Sequence, residues 1–208
     1  TTSGGRPTSG YFPRFRNVFK QETDFLRGYA AGFSANRGAG PDTSGIGMEL
    51  KNSLLNPDKY GPWRVGSHMM GETIPKESNY VALDPNLKDE WGMPQLKISV
   101  DYDDNDEKMV KDYIEQMTEM FTKAGFTNIQ ATDSKQAPGL DIHEMGGVRM
   151  GKDPKTSLLN ANHQLHAVPN VYVTDGASMT STSTQNPSLT YMAFAARAAH
   201  HAVAESKK

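Results

Sequence analysis

The sequence predicts an α+β fold: a mostly antiparallel β-sheet backed by helices, followed by a terminal strand and helix. Three observations lead there. Tyr80-Val81-Ala82-Leu83 and Leu96-Lys97-Ile98-Ser99-Val100 have strand character and are separated by the turn material Asp84-Pro85 and Trp91-Gly92-Met93-Pro94, which favours antiparallel pairing. Apolar residues then recur at helical spacing over 106–124. A short apolar run, 171–174, ends on Asp175-Gly176, and an alanine-rich helical stretch follows Pro187.

Taken in order, residues 1–10 are rich in Thr, Ser, Gly and Pro and lack the charged and apolar regions of a signal peptide. From Tyr11 to Arg37 aromatics and arginines interleave, with Gly and Pro breaking any helical period, so strands and loops are expected. Residues 38–47 read as a connection. The helix over 106–124 carries Met109, Val110, Tyr113, Ile114, Met117, Met120, Phe121 and Ala124 on one face, with Asn105 as its expected N-cap and Gly125 as its stop. Its methionine stripe is read as core packing rather than a cofactor groove. Residues 127–132 alternate as a strand would. The final helix, running to about Glu205, has a small-residue face of Ala193, Ala196, Ala199 and Ala202 that permits close approach to a neighbour.

Composition excludes several function classes. With 22 Lys+Arg against 24 Asp+Glu, the net charge of −2 carries no footprint for nucleic acid or an anionic membrane. No cysteine is present, which removes disulfides, thiolate metal sites and a cysteine nucleophile. No apolar stretch approaches the roughly 20 residues of a spanning helix, so the chain as it stands is expected to be soluble, cytoplasmic or periplasmic. The 208 residues suffice for one sizeable core; they begin without Met, and the chain is read as a piece of a longer protein.

Chemistry concentrates in the last third. His143 opens the segment His143-Glu144-Met145-Gly146-Gly147-Val148-Arg149-Met150-Gly151, where glycines allow the backbone close to a ligand. The His-Glu pair invites a zinc reading, but the second histidine of that pattern would fall on Gly147, so no metal site is assigned. Asp175-Gly176 alone is an ordinary turn. Asn186-Pro187 is a helix-start signal, with Asn186 at the cap and Pro187 in the first position. Arg149 is either a surface charge or a loop anchor, and His68, His163, His166, His200 and His201 are read as structural or surface residues.

In their order and spacing, with 43 residues from His143 to Asn186, these motifs resemble the C-terminal portion of the glucose-methanol-choline (GMC) family of FAD-dependent oxidoreductases. The resemblance extends back through Gly71-Glu72 to Pro94, and the wording is most similar to gluconate 2-dehydrogenase and glucoside 3-dehydrogenase flavoproteins. It implies that His143 is the catalytic base and Asn186 its partner, an amide that holds a developing alkoxide. It also implies that Asp175, Gly176, Pro187, Ser188 and Leu189 approach the flavin of FAD, the last three at a helix N-terminus suited to a reduced, anionic ring. Residues 1–140 then form a substrate-binding domain and 141–208 the last elements of the FAD domain. Two departures stand out. Gly147 replaces a threonine common in the family, and neither Gly38-Ala39-Gly40 nor Gly45-Ile46-Gly47 completes the G-x-G-x-x-G unit that grips a dinucleotide. The implied function is oxidation of a sugar or polyol CH–OH group, with an electron-acceptor partner protein. The rival reading is a carbohydrate-binding or interaction domain of the same fold without redox activity.

Overall fold

The structure, a computed structural model, describes residues 8–37, 44–55, 63–140 and 142–207. Its architecture is α+β. Strands β1 (Ser9–Phe15), β2 (Tyr29–Arg37) and β3 (Trp63–Gly71) form an antiparallel sheet in the order β1-β2-β3, and β4 (Tyr80–Lys88) pairs with β5 (Pro94–Ser99) in a separate antiparallel hairpin. Helices α1 (Met48–Leu55), α2 (Asp104–Lys123) and α3 (Ser188–Glu205) complete the described elements, with one 3-10 turn at Gly176–Ser178. Most of the connection expected at 38–47 lies outside the described residues.

The β1–β2 connection is knitted by one side chain. Asn17 Nδ2 donates to Thr23 Oγ1 and to the carbonyls of Phe25 and Arg27, while its Oδ1 accepts from the Glu22 amide. This folds the loop back and delivers Phe25 into the core, where it is buried with Tyr29 and Met109 and flanked by Phe15, Met69 and Tyr113. Aromatic edges lock α2 onto one sheet face. The Tyr113 ring meets Tyr29 at 5.6 Å and the Phe121 ring meets Phe33 at 6.0 Å, both near-perpendicular contacts. The methionine stripe is core as expected, with Met109 and Met117 both buried.

At the edge of that interface Asp112 accepts from Arg16 Nε at 3.0 Å and from the Tyr29 hydroxyl at 2.7 Å. Burial first, and then the Asp112 carboxylate, push the Tyr29 hydroxyl far above its ordinary pKa, so it remains a neutral donor.

Several expected details are corrected. Helix α2 starts two residues early: Asp103 is the N-cap, accepting from the Asn105 and Asp106 amides in a capping box with Asp106. Asn105 is instead spent on the β1–β2 loop, its Oδ1 accepting from Leu26 N at 2.7 Å and its Nδ2 donating to Leu26 O. Gly125, at φ 84°, ends the helix as expected, with the Phe126 amide returning to Phe121 O. Residues 127–132 are not a strand, because Asn128 takes a left-handed φ of 56° that breaks extension. Residues 171–174 make only one bridge, Tyr172 to Gln164, because the partner segment bends at His163, whose φ is 61°. Strand β3 and helix α1 were not anticipated.

Candidate active site

The face of the β1-β2-β3 sheet opposite α2 carries the candidate site. Paired residues share a face, so Tyr11, Gly32 and His68 form one row across the strands, and the backbone after β3 places Glu72 at the end of the same column. Residues 181–185 lie on this face as a strap, fastened at both ends. At one end the Ser181 hydroxyl donates to Glu72 Oε1 at 2.6 Å. At the other the Tyr11 hydroxyl donates to Thr184 O at 3.0 Å, Thr184 Oγ1 donates to Pro13 O at 3.1 Å, and Gln185 Nε2 donates to the same Pro13 carbonyl. The strap delivers Asn186, which is exposed, and Pro187, which is buried, to the start of α3.

The sequence places Asn186 at the N-cap of α3, but the cap position is Pro187, which provides no side-chain hydrogen bond. The correction has a physical reason. The Tyr191 amide already reaches Pro187 O at 3.1 Å, so the first helical turn closes on the proline and leaves Asn186 one residue outside it. Backbone N–H groups of residues 188–190 therefore have no partner within the helix, and Ser188 and Leu189 are exposed beside them. An uncapped N-terminus of an eighteen-residue helix attracts negative charge.

The His143 segment docks against the Asp175 turn through the main chain. Val148 N donates to Ala177 O at 2.9 Å and Met150 N to Ser178 O at 3.1 Å. Asp175 caps the 3-10 turn by accepting from Ala177 N, and its own carbonyl accepts from Ser178 Oγ. Gly176 is buried there because α3 and the loop both press on it: a Cβ would stand 2.7 Å from the Tyr191 hydroxyl and 2.9 Å from Met145 Sδ. Burial first, with the charges of Asp175 and Glu144, pushes the Tyr191 hydroxyl above its ordinary pKa and keeps it a donor, directed at Met145 Sδ 3.7 Å away. His143 itself is half-buried.

The structure thus joins the His143 loop, the Asp175-Gly176 turn and the first turn of α3, the three motifs singled out in the sequence. They meet through Met145, Gly176 and Tyr191 rather than by a direct bond from His143 to Asn186. The remaining candidates resolve as framework. Arg149 is exposed and holds its own loop by donating to Thr156 O at 2.9 Å. His166 Nε2 lies 3.2 Å from Gly151 O, and His163 is fully buried against Phe194 and Arg197 of α3. Tyr11, Glu72, Ser181, Thr184 and Tyr191 were not anticipated as parts of the site; only the hydroxyl-rich text before Asn186 hinted at a tethered segment. Among the described residues no His, Cys, Asp and Glu side chains converge as a metal site, and no helix is long and apolar enough to cross a membrane.

Comparison with known proteins identifies the family. Residues 75–195 match the family described as GMC oxidoreductase. The chain is 31% identical over 185 residues to 2-methyl-1,2-propanediol dehydrogenase of Mycolicibacterium austroafricanum, covering 85% of this chain and 33% of that protein. It is 38% identical over 109 residues to the gluconate 2-dehydrogenase flavoprotein of Pantoea cypripedii, covering 49% and 17%, and 35% identical over 125 residues to paromamine 6'-oxidase of Streptomyces fradiae, covering 60% and 23%. The chain spans a third or less of the length of these relatives. The matched segment contains both the Met145–Gly176–Tyr191 junction and the strap, and on that evidence the chain belongs to the GMC oxidoreductase family.

Proposed function

We propose that this chain forms the substrate-facing and catalytic part of an FAD-dependent oxidoreductase that oxidises a CH–OH group of a sugar or polyol. Residues 1–140 serve as the substrate-binding portion and 141–208 as the C-terminal portion of the flavin-binding domain. The observation that carries this reading is the junction at Gly176, which gathers a histidine loop, an Asp-Gly turn and an uncapped helix start from three separate stretches of chain. The similarity to 2-methyl-1,2-propanediol dehydrogenase, gluconate 2-dehydrogenase flavoprotein and paromamine 6'-oxidase favours a polyhydroxylated substrate.

The residues present fit a flavin. The amides of 188–190, which have no partner within the helix, and the positive end of α3 suit an electron-rich ring edge, while Gly176, covered by Tyr191 and Met145, packs the turn that presents the exposed Asp175. When bound, FAD supplies the two-electron acceptor for the carbon-bound hydrogen. His143 takes the proton from the substrate hydroxyl oxygen at an imidazole nitrogen. The Asn186 amide donates to that same oxygen as it gains charge, and being outside the helix cap it is free to do so.

Dye reduction by the FAD-loaded protein across vicinal diols, gluconate and glucosides, with and without His143→Ala, tests the proposal. Substrate-dependent bleaching that drops by about 10²–10⁴-fold in the variant is expected from loss of a general base. No flavin binding and no turnover on any of these substrates would instead favour a carbohydrate-binding module.

A further inference from the structure

We infer that Glu72 is a positioning residue for Asn186, acting through Ser181 and the 181–185 strap; the inference rests on the catalytic reading of Asn186 given above. Glu72 is unusual among the described carboxylates in being buried, at 7% exposure. A buried carboxylate is costly unless charge and hydrogen bonds compensate it. Arg27 Nε stands 3.8 Å from Oε1, an ion pair too long to be a hydrogen bond, so the short bond from the Ser181 hydroxyl is the contact that satisfies this oxygen. Glu72 is itself fixed by the sheet, its amide donating to Gly28 O at 3.3 Å.

From that anchor the strap is wired link by link. Ser181 Oγ, having donated to Glu72, accepts from the Ser183 amide at 3.1 Å, which fixes the left-handed turn at Ser183, φ 60°. Thr182 Oγ1 donates to Gln185 O at 3.0 Å, the carbonyl of the peptide bond that leads into Asn186. The β1 contacts of Thr184 and Gln185 secure the far end. Both Asn186 neighbours are thereby held, Gln185 by the strap and Pro187 by its burial, while the Asn186 side chain remains exposed. Removing the Glu72 contact frees the Ser183 turn and with it the backbone angle at which the Asn186 amide is presented. Neither Glu72 nor Ser181 needs to touch substrate.

The test uses the FAD-loaded protein and four variants: Glu72→Ala, Glu72→Gln, Ser181→Ala and, as a reference, Asn186→Ala. Misplacement of a catalytic group by about an ångström costs up to roughly a hundredfold, so Glu72→Ala and Ser181→Ala should each lower kcat by about ten- to a hundredfold with KM changed less than about threefold. Bound flavin in Ser181→Ala should stay at the wild-type level, while its thermal midpoint falls modestly because the buried Glu72 carboxylate loses a hydrogen bond. Glu72→Gln keeps an oxygen that accepts from Ser181 and should recover most of kcat, a rescue that a merely electrostatic or structural role does not produce. Hydrogen exchange should show lost protection at residues 183–186 in Ser181→Ala. Wild-type kcat in Ser181→Ala, or a kcat loss in Glu72→Gln equal to that in Glu72→Ala, overturns the inference while leaving the catalytic reading intact. Wild-type turnover in Asn186→Ala overturns that reading, and the positioning role with it.

Discussion

The Tyr191 hydroxyl lies 3.7 Å from the Met145 sulfur, and the two groups close over the α-carbon of Gly176. Helix α3, the His143 loop and the Asp175 turn meet here, and again where Arg197 reaches Met150 Sδ at 3.7 Å and the Met150 amide donates to Ser178 O, so a shift of Gly176, Met145 or Tyr191 is felt by all three. Gly176→Ala places a methyl 2.7 Å from the tyrosine oxygen and 2.9 Å from the sulfur, distances at which something must shift. We expect a loss of about 1–3 kcal/mol, the usual cost of overpacking, with a lower thermal midpoint and reduced flavin retention. Tyr191→Phe in the same background should recover part of the stability, because it removes the nearer of the two colliding atoms.

Acid should loosen α3 through His163. Arginine offers no acceptor, so the 2.8 Å contact between Arg197 and His163 Nε2 requires Nε2 to accept and puts the imidazole proton on Nδ1. That nitrogen is buried and has no partner among the described residues. Burial first, and the Arg197 charge second, hold the His163 pKa below its ordinary 6.5. The unfolded chain therefore binds a proton before the folded one does. Stability is full above pH 6.5 and falls as the pH drops from there toward the lower folded pKa. Thermal midpoints measured between about pH 7.5 and 5 should fall on acidification, with a shallower slope in His163→Leu. An unchanged slope in that variant refutes the assignment.

At the start of α2, Asp103→Ala removes a cap that accepts from two amides and should cost about 1 kcal/mol. Asn105→Ala should leave the helix end intact and instead free the Leu26 backbone. Hydrogen exchange separates the two: the first variant loses protection at the first turn of α2, the second at Leu26.

Asp112→Ala strips the acceptor from both Arg16 and the Tyr29 hydroxyl. The phenol is left without this partner in the core, and the expected loss is about 2–4 kcal/mol, an unsatisfied buried donor plus a broken, partly shielded ion pair. Pairing it with Tyr29→Phe should relieve part of that loss. A double-mutant cycle in urea checks the coupling.

The match between text and structure was uneven for identifiable reasons. Helix α2 was legible because eight apolar residues repeat at helical spacing, and the β4–β5 hairpin because turn residues separate two apolar runs. Strand β3 was missed because Gly66, Ser67 and His68 blur its alternation, and it is stabilised by pairing along its full length with β2. The apparent strand at 171–174 failed on a property of its partner, the left-handed His163, which no local reading of residues 171–174 contains. In the candidate site, His143, Asp175, Gly176 and Asn186 were marked by motif. The groups that fasten the strap leading into Asn186, Tyr11, Pro13 and Glu72, lie more than a hundred residues away from it along the chain, and only folding reveals their role.

The clasp of the strap on β1 also sets an order of events. Its three bonds join residues 171 to 173 positions apart. Contacts of such span close late, because loop entropy must be overcome before they give anything back. During synthesis Thr184 and Gln185 emerge 171 to 173 residues after the β1 groups they bind, once β2, β3 and α2 have been made. The sheet with α2 is thus a platform that can be complete while the chain is still growing, and the corner that presents Asn186 is assembled on it last.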